Sequence, residues 1–194
     1  MIEILEYSEI RKRVEDILRF KPKRFEHTLG VMYTAGLLAR VYNEDVEKCK
    51  IAGLLHDVAK AMKDEELIEY CNTHEIPLTP ELIDNTQLLH SKVGASIAAL
   101  EFGIIDEDIL NAISYHTTGR PMMTTIEKII YISDYIEPER NEASNLNEYR
   151  KLAFEDLDLC VFKVLMNTIE YLTSNNKMVD KDSIDAYNYF KAIV

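Results

Sequence analysis

The 194-residue chain has few residues that interrupt helices, with only six glycines and five prolines. Because both residues disfavour helix interiors, their scarcity favours long helices over many short strands joined by turns. Apolar residues recur at helical spacing, and no convincing strand pattern is present. We therefore predict an all-α fold with a single domain over residues 1–194, which is long enough to bury a core without disulfides or structural metals.

Positive charge is also scarce, since 22 lysines and arginines face 34 aspartates and glutamates, for a formal net charge of −12. A general nucleic-acid binder needs a basic surface to displace counterions, so this balance argues against nucleic acid as a partner. It does not argue against a small anionic substrate. Bound divalent metals can supply the local positive charge that the chain as a whole lacks.

The three cysteines, Cys49, Cys71 and Cys160, are scattered and form no CxxC pair. This usage predicts no disulfide framework and fits a reducing cytosol. The first twenty residues carry charges throughout and lack the apolar core of a signal peptide. No apolar run approaches the roughly 18 residues that a membrane span requires. We therefore predict a cytoplasmic chain without a membrane partner.

Helix-forming patterns, caps and breakers predict the course of the chain. The predicted helices run from about Ser8 to Phe20, Arg24 to Tyr42, Asp45 to Lys60, Asp64 to Asn72, Leu89 to Phe102, Asp106 to His116, Thr124 or Thr125 to Glu137, Leu146 to Ser174, and from Asp182 onward. Residues 76–80 and 117–121 are predicted loops. The polar segment 139–145 is predicted to be a mobile loop.

Ionisable residues occur where these helices should face the core. His27, His90 and His116 each lie on an apolar stripe of a predicted helix, and Asp134 follows Ile130 by four residues. For a single histidine, a hydrogen-bonded core residue is the ordinary interpretation. Asp134 is harder to explain in that way. Burying even a neutral polar group without a partner costs a free energy of roughly 2–7 kcal/mol, and burying an unpaired carboxylate costs more.

The dipeptide His56-Asp57, near the end of the apolar segment LLHDVAK, adds two more such groups. Each buried polar group needs a partner, and one divalent cation can satisfy several at once. Imidazole and carboxylate ligands suit iron, manganese or zinc. Six ligands are too many for one open catalytic metal, so they indicate two metals. Asp57 is the natural bridge between them, because a carboxylate has two oxygens.

The charges of such a site predict its substrate. Four neutral histidines and two carboxylates contribute −2, whereas two divalent metals contribute +4, so the site should attract phosphate. A water between the metals would lose its proton readily. Nearby cations could add contacts to phosphate: Lys60 and Arg120 first, with Arg24, Lys92, Lys128 and Arg140 as further candidates.

The order of these residues resembles the HD-domain metal-dependent phosphohydrolase superfamily, in which a histidine, a His-Asp pair and a distant aspartate recur. The strings RFEHTLGV, LLHDVAK, LLHSKVGA and AISYHTTGRPMMTTIEKIIYISDYIEPER carry the resemblance over roughly Arg24 to Arg140. The additional His90 and His116 resemble the dinuclear branch. Together the strings resemble the YqeK-like group of symmetrical diadenosine-tetraphosphate hydrolases. Small departures, such as Ser133 before Asp134, touch no proposed ligand.

The resemblance implies an HD-type helical bundle with a motif-bearing core at about 24–140 and C-terminal helices at 146–194 packed on it. It also implies two metal ions, most readily iron, with manganese, zinc or magnesium as alternatives. One ion would be held by His27, His56, Asp57 and Asp134, and the other by His90, His116 and Asp57.

The implied reaction is hydrolysis of diadenosine tetraphosphate to two ADP by a metal-bridging hydroxide. Asp57 and Lys60 would be catalytic, and Lys60, Thr117, Gly119 and Arg120 would contact the phosphates.

Two alternatives stay open at this point. The chain could be another HD phosphohydrolase, acting on nucleoside mono- or triphosphates, cyclic nucleotides or guanosine alarmones, although no HD-GYP signature is present. It could also be a non-catalytic nucleotide-binding module, although none of the six ligands is missing. The residues leave open the metal identity, the groups that read the base, and whether the chain forms a homodimer.

Overall fold

The computed structural model describes residues 6–79, 82–83, 85–141 and 145–194. Within these ranges the chain is helical and contains no strand, which confirms the all-α prediction. The α-helices with described bounds are α1 (Tyr7–Leu18), α2 (Pro22–Val41), α3 (Val46–Leu55), α4 (Asp64–Thr73), α5 (Leu89–Phe102), α6 (Glu107–Tyr115), α7 (Thr125–Ile136), α8 (Leu146–Leu152), α9 (Leu157–Ser174) and α10 (Lys181–Ile193). Two short 3-10 helices span Val58–Ala61 and Thr86–Leu88.

Helices α2 and α3 pack in unusually close contact at the centre of the molecule. A Cβ added to Gly53 of α3 would lie only 2.9 Å from the Cα of Met32 on α2, so the two backbones approach each other directly. Helix α2 also packs on α7, and α3 on α6 and α7. This arrangement brings the C-terminal end of α3 beside the first half of α2.

The remaining helices surround this centre. Helix α5 packs on α6 and on the 3-10 helix that follows α3, and α6 packs on α7. At the C-terminal end, α8 and α9 pack on α7, and α10 packs on α9. Through α8 and α9, the C-terminal helices contact α7 of the motif-bearing part of the chain. The single-domain boundaries stay a prediction.

Several helix ends agree with the predicted caps. The Asp45 carboxylate accepts from two backbone N–H groups of α3, and Asp106 does the same for α6. The Thr124 hydroxyl accepts a hydrogen bond from the backbone N–H of Glu127. In return, the Glu127 carboxylate accepts one from the backbone N–H of Thr124. Such reciprocal capping satisfies N–H groups that a helix leaves unpaired at its start.

Several predicted helix bounds were wrong. Helix α1 begins at Tyr7 without a side-chain cap from Ser8, and Pro22 is the first residue of α2, where its missing N–H has no cost. Helix α3 ends at Leu55 instead of Lys60, because Asp57 leaves the helical conformation with φ −108° and ψ 15°.

The predicted long helix from Leu146 to Ser174 is two helices, α8 and α9. The break lies at 153–156, and the Asp156 carboxylate accepts from the backbone N–H of Leu159 at 3.0 Å to start the second helix. An aspartate favours this capping position over a helix interior, which the apolar period alone did not reveal. The last helix likewise starts one residue earlier than predicted, capped by Asp180.

Two predicted loops fall partly outside the described residues. Residues 76–79 carry no helix or strand, and position 80 lies outside. Of the segment 139–145, positions 142–144 lie outside, so its predicted mobility stays a prediction. All three cysteines are buried free thiols, as the sequence led us to expect. Across the described ranges, no helix combines the length and apolar character needed to cross a bilayer.

We expect Gly53→Ala to lower the free energy of unfolding by about 1–3 kcal/mol, because the new methyl group has to push the backbone of α2 away. Gly36→Ala is the matched control, since its Cβ would meet only the flexible end of the Lys50 side chain, at 3.0 Å from Cε. Urea denaturation followed by far-ultraviolet circular dichroism measures both variants. Equal stability of the two would contradict the proposed backbone contact.

Candidate metal centre

The six residues singled out in the sequence meet in the core at the ends and faces of five helices. His27 lies on α2, His56 caps the C-terminus of α3, and Asp57 follows it. His90 lies in the first turn of α5 and His116 caps the C-terminus of α6. Asp134 lies on α7. Five of these side chains are buried, and the Asp134 side chain is 19% exposed.

The Asp57 carboxylate lies between two pairs of histidines. Its Oδ2 atom is 3.5 Å from Nε2 of His56 and 3.7 Å from Nε2 of His27. Its Oδ1 atom is 3.3 Å from Nε2 of His90 and 3.7 Å from Nε2 of His116. The two oxygens therefore face different histidine pairs, as a bridging ligand would.

Asp134 lies beside the histidine pair formed by His27 and His56. Its Oδ1 atom is 3.0 Å from Nε2 of His27 and 4.0 Å from Nε2 of His56. The ligand atoms of these three residues lie within 4.8 Å of one another, and so do those of His56, Asp57 and His116. His56 belongs to both groups, so the two adjoin each other, and His90 belongs to neither. The division of the ligands between two ions stays a prediction.

Three of the histidines are oriented in the same way by the backbone. His56, His90 and His116 each place Nδ1 against the carbonyl oxygen three residues earlier, at 2.7 Å for His56 and His116. A carbonyl only accepts, so Nδ1 carries the proton and Nε2 keeps its lone pair. All three Nε2 atoms therefore face Asp57 as potential metal ligands.

His27 is oriented by Glu137, a residue that sequence analysis missed. The Nδ1 of His27 lies 3.1 Å from Oε1 of Glu137, which is buried just beyond the end of α7. The backbone N–H of Glu139 donates to the other carboxylate oxygen at 2.8 Å. Gly30 leaves the necessary room, because a Cβ there would lie 2.4 Å from Oε2. In the sequence, Glu137 stands three residues after Asp134, and this helical spacing was the signal that could have identified it.

The donor geometry fits divalent metal ions. The Nε2 atoms of His27 and His56 are 3.4 Å apart, and those of His90 and His116 are 3.1 Å apart. With ligand bonds of about 2.1 Å at angles of about 90–110°, two nitrogens on one ion would be roughly 3.0–3.4 Å apart. Without a shared cation or proton, the facing lone pairs would repel. Imidazole and carboxylate ligands suit iron, manganese or zinc.

Electrostatics favour the ionisation states that metal binding needs at three of the ligands. His27 differs, because burial opposes its charge but the hydrogen bonds to Asp134 and Glu137 raise its pKa. Burial opposes the charge of Asp57, yet the neighbouring imidazoles lower its pKa well below the usual range. Burial likewise opposes the charge of Asp134, whose pKa is lowered by the hydrogen bond to His27 and the charges of neighbouring groups. Burial lowers the pKa of His90 to about 4. At neutral pH both carboxylates are ionised and His90 is neutral, as metal coordination requires.

Two arginines contact the site carboxylates from the solvent side. Arg24 Nη1 lies 2.8 Å from Oδ2 of Asp57, and Arg140 Nη2 lies 2.9 Å from Oδ1 of Asp134. The two side chains are 38% and 39% exposed. They place positive charge at the mouth of the site, where an anionic substrate would enter. Sequence analysis had named both only as further candidates.

Two of the four predicted phosphate-binding residues line clefts at the metal centre. Lys60 lines a cleft of about 230 Å³ together with Arg24 and His90, and burial lowers the pKa of its amine. Thr117 borders a second, larger cleft that also reaches the metal site. Each of these clefts includes a residue of the metal centre, and contact of Lys60 and Thr117 with phosphate stays a prediction.

Gly119 and Arg120 make other contacts. The Arg120 guanidinium donates twice to Oε1 of buried Glu127, at 3.0 and 2.6 Å. Gly119, at φ +66°, packs near Ala186. A direct phosphate contact by these two residues stays a prediction.

The other two candidate cations also have partners. Lys128 donates to a carboxylate oxygen of Asp158 at 2.7 Å, and the Lys92 amine lies 3.6 Å from the ring centroid of Tyr115. Neither of these contacts involves a residue of the metal centre.

Comparison with known proteins supports the fold and shows the family. Residues 24–139 match the HD domain family. The chain therefore belongs to the HD domain family.

Similar proteins share most of the chain length. The symmetrical bis(5'-nucleosyl)-tetraphosphatase of Bacillus subtilis is 42% identical, over 86% of this chain and 88% of that protein. The enzyme of the same description from Halalkalibacterium halodurans is 39% identical, over 85% and 87%. A protein of Clostridium acetobutylicum with a crystal structure, described as a predicted HD superfamily hydrolase involved in NAD metabolism, is 44% identical. It matches with a TM-score of 0.94, over 99% of this chain and 100% of that one.

We expect Glu137→Gln to weaken metal affinity about 10–100-fold, the usual effect of removing a group that orients a metal-binding histidine. Manganese titration in competition with a chelator measures the change. Glu139→Gln is the matched control, because that side chain is exposed and contributes only its backbone N–H. Equal affinity of the two variants would show that Glu137 does not orient His27.

Proposed function

We propose that this protein hydrolyses diadenosine tetraphosphate symmetrically, giving two molecules of ADP. The observation that carries the proposal is the two-sided position of Asp57, with Oδ2 facing His27 and His56 and Oδ1 facing His90 and His116. The substrate comes from the relatives, two of which are described as symmetrical tetraphosphatases at 42% and 39% identity.

The proposed ligand set divides between two ions. His27, His56 and Asp134 would hold one ion together with Oδ2 of Asp57, and His90 and His116 would hold the other with Oδ1. Iron is the metal we propose, with manganese, zinc or magnesium as alternatives. When bound, the ions supply an acidified water as nucleophile and positive charge opposite the phosphoryl oxygens.

The chain's own residues would bind and position the polyphosphate. Arg24 and Arg140 carry partly exposed guanidinium groups at the mouth, and each makes a single hydrogen bond to its carboxylate partner. Each could exchange that partner for phosphate oxygens, which a guanidinium can bind through two N–H groups. Lys60 lies in the adjoining cationic cleft, where its amine can contact a phosphate. Thr117 can donate its hydroxyl from the opposite side.

Cleavage between the second and third phosphorus atoms explains both products. The water oxygen bonds to one phosphorus as the bridging P–O bond breaks, and the departing ADP carries the bridging oxygen. The terminal phosphate of ADP is a stable leaving oxyanion, so a strong general acid is not required. We propose that this reaction takes place in the cytoplasm, where the free thiols of the chain stay reduced.

A substrate panel on the iron- or manganese-loaded protein tests the substrate. Separation of products by anion-exchange chromatography should show ADP as the dominant nucleotide from diadenosine tetraphosphate. Equal amounts of AMP and ATP would contradict symmetrical cleavage. Faster turnover of nucleoside mono- or triphosphates, or of guanosine alarmones, would favour another HD phosphohydrolase. No turnover of any substrate would favour a binding module.

We expect Asp57→Ala to lose both metal ions and all turnover, because one carboxylate would be shared by both ions. Metal content by mass spectrometry and the rate of ADP release measure the effect, with circular dichroism to check folding. Asp16→Ala, on the exposed face of α1, is the matched control and should keep both. Retained turnover in Asp57→Ala, or loss of only one ion, would contradict the bridging role.

A further inference from the structure

A cleft of about 770 Å³ lies between α7 and α9 and is called here the α7–α9 cleft. One end is formed by His116 and Asp134 of the metal centre, and the other by the last turn of α9 around Tyr171. Its volume is within the range of about 300–1,000 Å³ that is typical of small-molecule sites. A ligand in this cleft would have one end at the metals.

The cleft differs in chemistry from the two smaller ones at the same metal centre. Those have volumes of about 230 and 250 Å³ and are lined by cations, among them Lys21, Lys60 and Arg24 in the first, and Lys23, Arg24 and Arg140 in the second. No tyrosine or phenylalanine belongs to the lining described for either. They suit phosphate groups, and the one ring in the described lining of each is a metal-centre imidazole, His90 or His27.

The α7–α9 cleft offers tyrosine surfaces to a base. Tyr135 of α7 and Tyr171 of α9 line it, with the Tyr171 side chain 57% exposed. Aromatic side chains bind nucleobases by stacking, whatever the base. Arg140 also lines this cleft, so it lies where phosphates would run from a bound nucleoside to the metal centre.

Asn167 provides a means of distinguishing bases. Its side-chain N–H donates to the hydroxyl oxygen of Tyr135 at 2.8 Å, and the Tyr135 ring packs edge-on against Tyr149 at 5.8 Å. This contact fixes the amide and leaves its oxygen and its second N–H without another hydrogen bond inside the described ranges. One acceptor beside one donor matches the N6 amino group and N7 of adenine, whereas guanine offers two acceptors at that edge.

We propose that the α7–α9 cleft is the subsite for one adenosine half of the substrate, with Asn167 reading the adenine and Tyr171 stacking on it. The other half is then held through its phosphates by the cationic clefts. Tyr135 is a positioning residue that orients the Asn167 amide. The identity of the substrate rests on the proposed function, but the assignment of the subsite can be tested by binding alone.

Calorimetric titration of the manganese-loaded protein with ADP and with GDP tests the assignment. The unmodified chain should bind ADP more tightly than GDP. Asn167→Ala should weaken ADP binding about tenfold, within the range expected for a bidentate amide–adenine pair, and should bring the ADP-to-GDP affinity ratio close to one. Asn72→Ala on α4 is the matched control, because Asn72 is an exposed helical asparagine outside the three clefts at the metal centre, and it should keep both affinities.

Two further variants separate base reading from stacking. Tyr135→Phe keeps the ring and removes the hydroxyl that holds Asn167, so it should lower the ADP-to-GDP ratio without unfolding the protein. Tyr171→Ala should weaken ADP and GDP binding alike, because stacking does not depend on the base. Tyr33→Ala on α2 is its matched control, with a side chain that is 61% exposed.

Unchanged ADP affinity in Asn167→Ala overturns the assignment, even if the protein hydrolyses diadenosine tetraphosphate. Equal affinity of the unmodified chain for ADP and GDP overturns the role of Asn167 as reader of adenine. Conversely, Asn167-dependent ADP binding in a protein that fails to hydrolyse diadenosine tetraphosphate supports the subsite and contradicts the proposed function.

Discussion

The Asp57 carboxylate, 2% exposed, holds a negative charge inside a helical core, and the surrounding structure depends on how that charge is accommodated. Four imidazoles point their Nε2 atoms toward it, and Arg24 reaches it from the solvent side. An isolated charge in such a position would be strongly disfavoured, so the helices that carry its partners must pack together. Metal coordination by the same atoms would satisfy the site most fully.

The backbone geometry that allows this convergence is itself specific. Helices α2 and α3 meet at Gly53, which lets His56 approach His27. Helix α3 then stops, so Asp57 turns away from the helical path and faces both histidine pairs. The carbonyl groups at i−3 fix three imidazole rings, and Glu137 fixes the fourth. Hydrogen bonds of this kind orient the histidine ligands of metal sites and support tight binding.

The C-terminal helices gain a chemical role from their packing. Helix α9 lies on α7, the helix of Asp134, and the two enclose the α7–α9 cleft beside the metal centre. Charge is distributed unevenly around the metal centre, because lysines line the two smaller clefts whereas the tyrosines and Asn167 line the α7–α9 cleft, and Arg140 lies in the lining of both sides. An overall acidic protein can therefore present a locally cationic site to a polyphosphate.

The sequence by itself determined the all-helical class and brought forward the six candidate residues, because helical periodicity places His27, His90, His116 and Asp134 on core-facing stripes. Only the tertiary structure decided how these residues pair. It also decided three side-chain contacts that the sequence did not predict, which join Glu137 to His27, Arg120 to Glu127 and Asn167 to Tyr135. The reason is physical: periodicity reports which face of a helix is buried, whereas partners between helices depend on packing distances that no local pattern records.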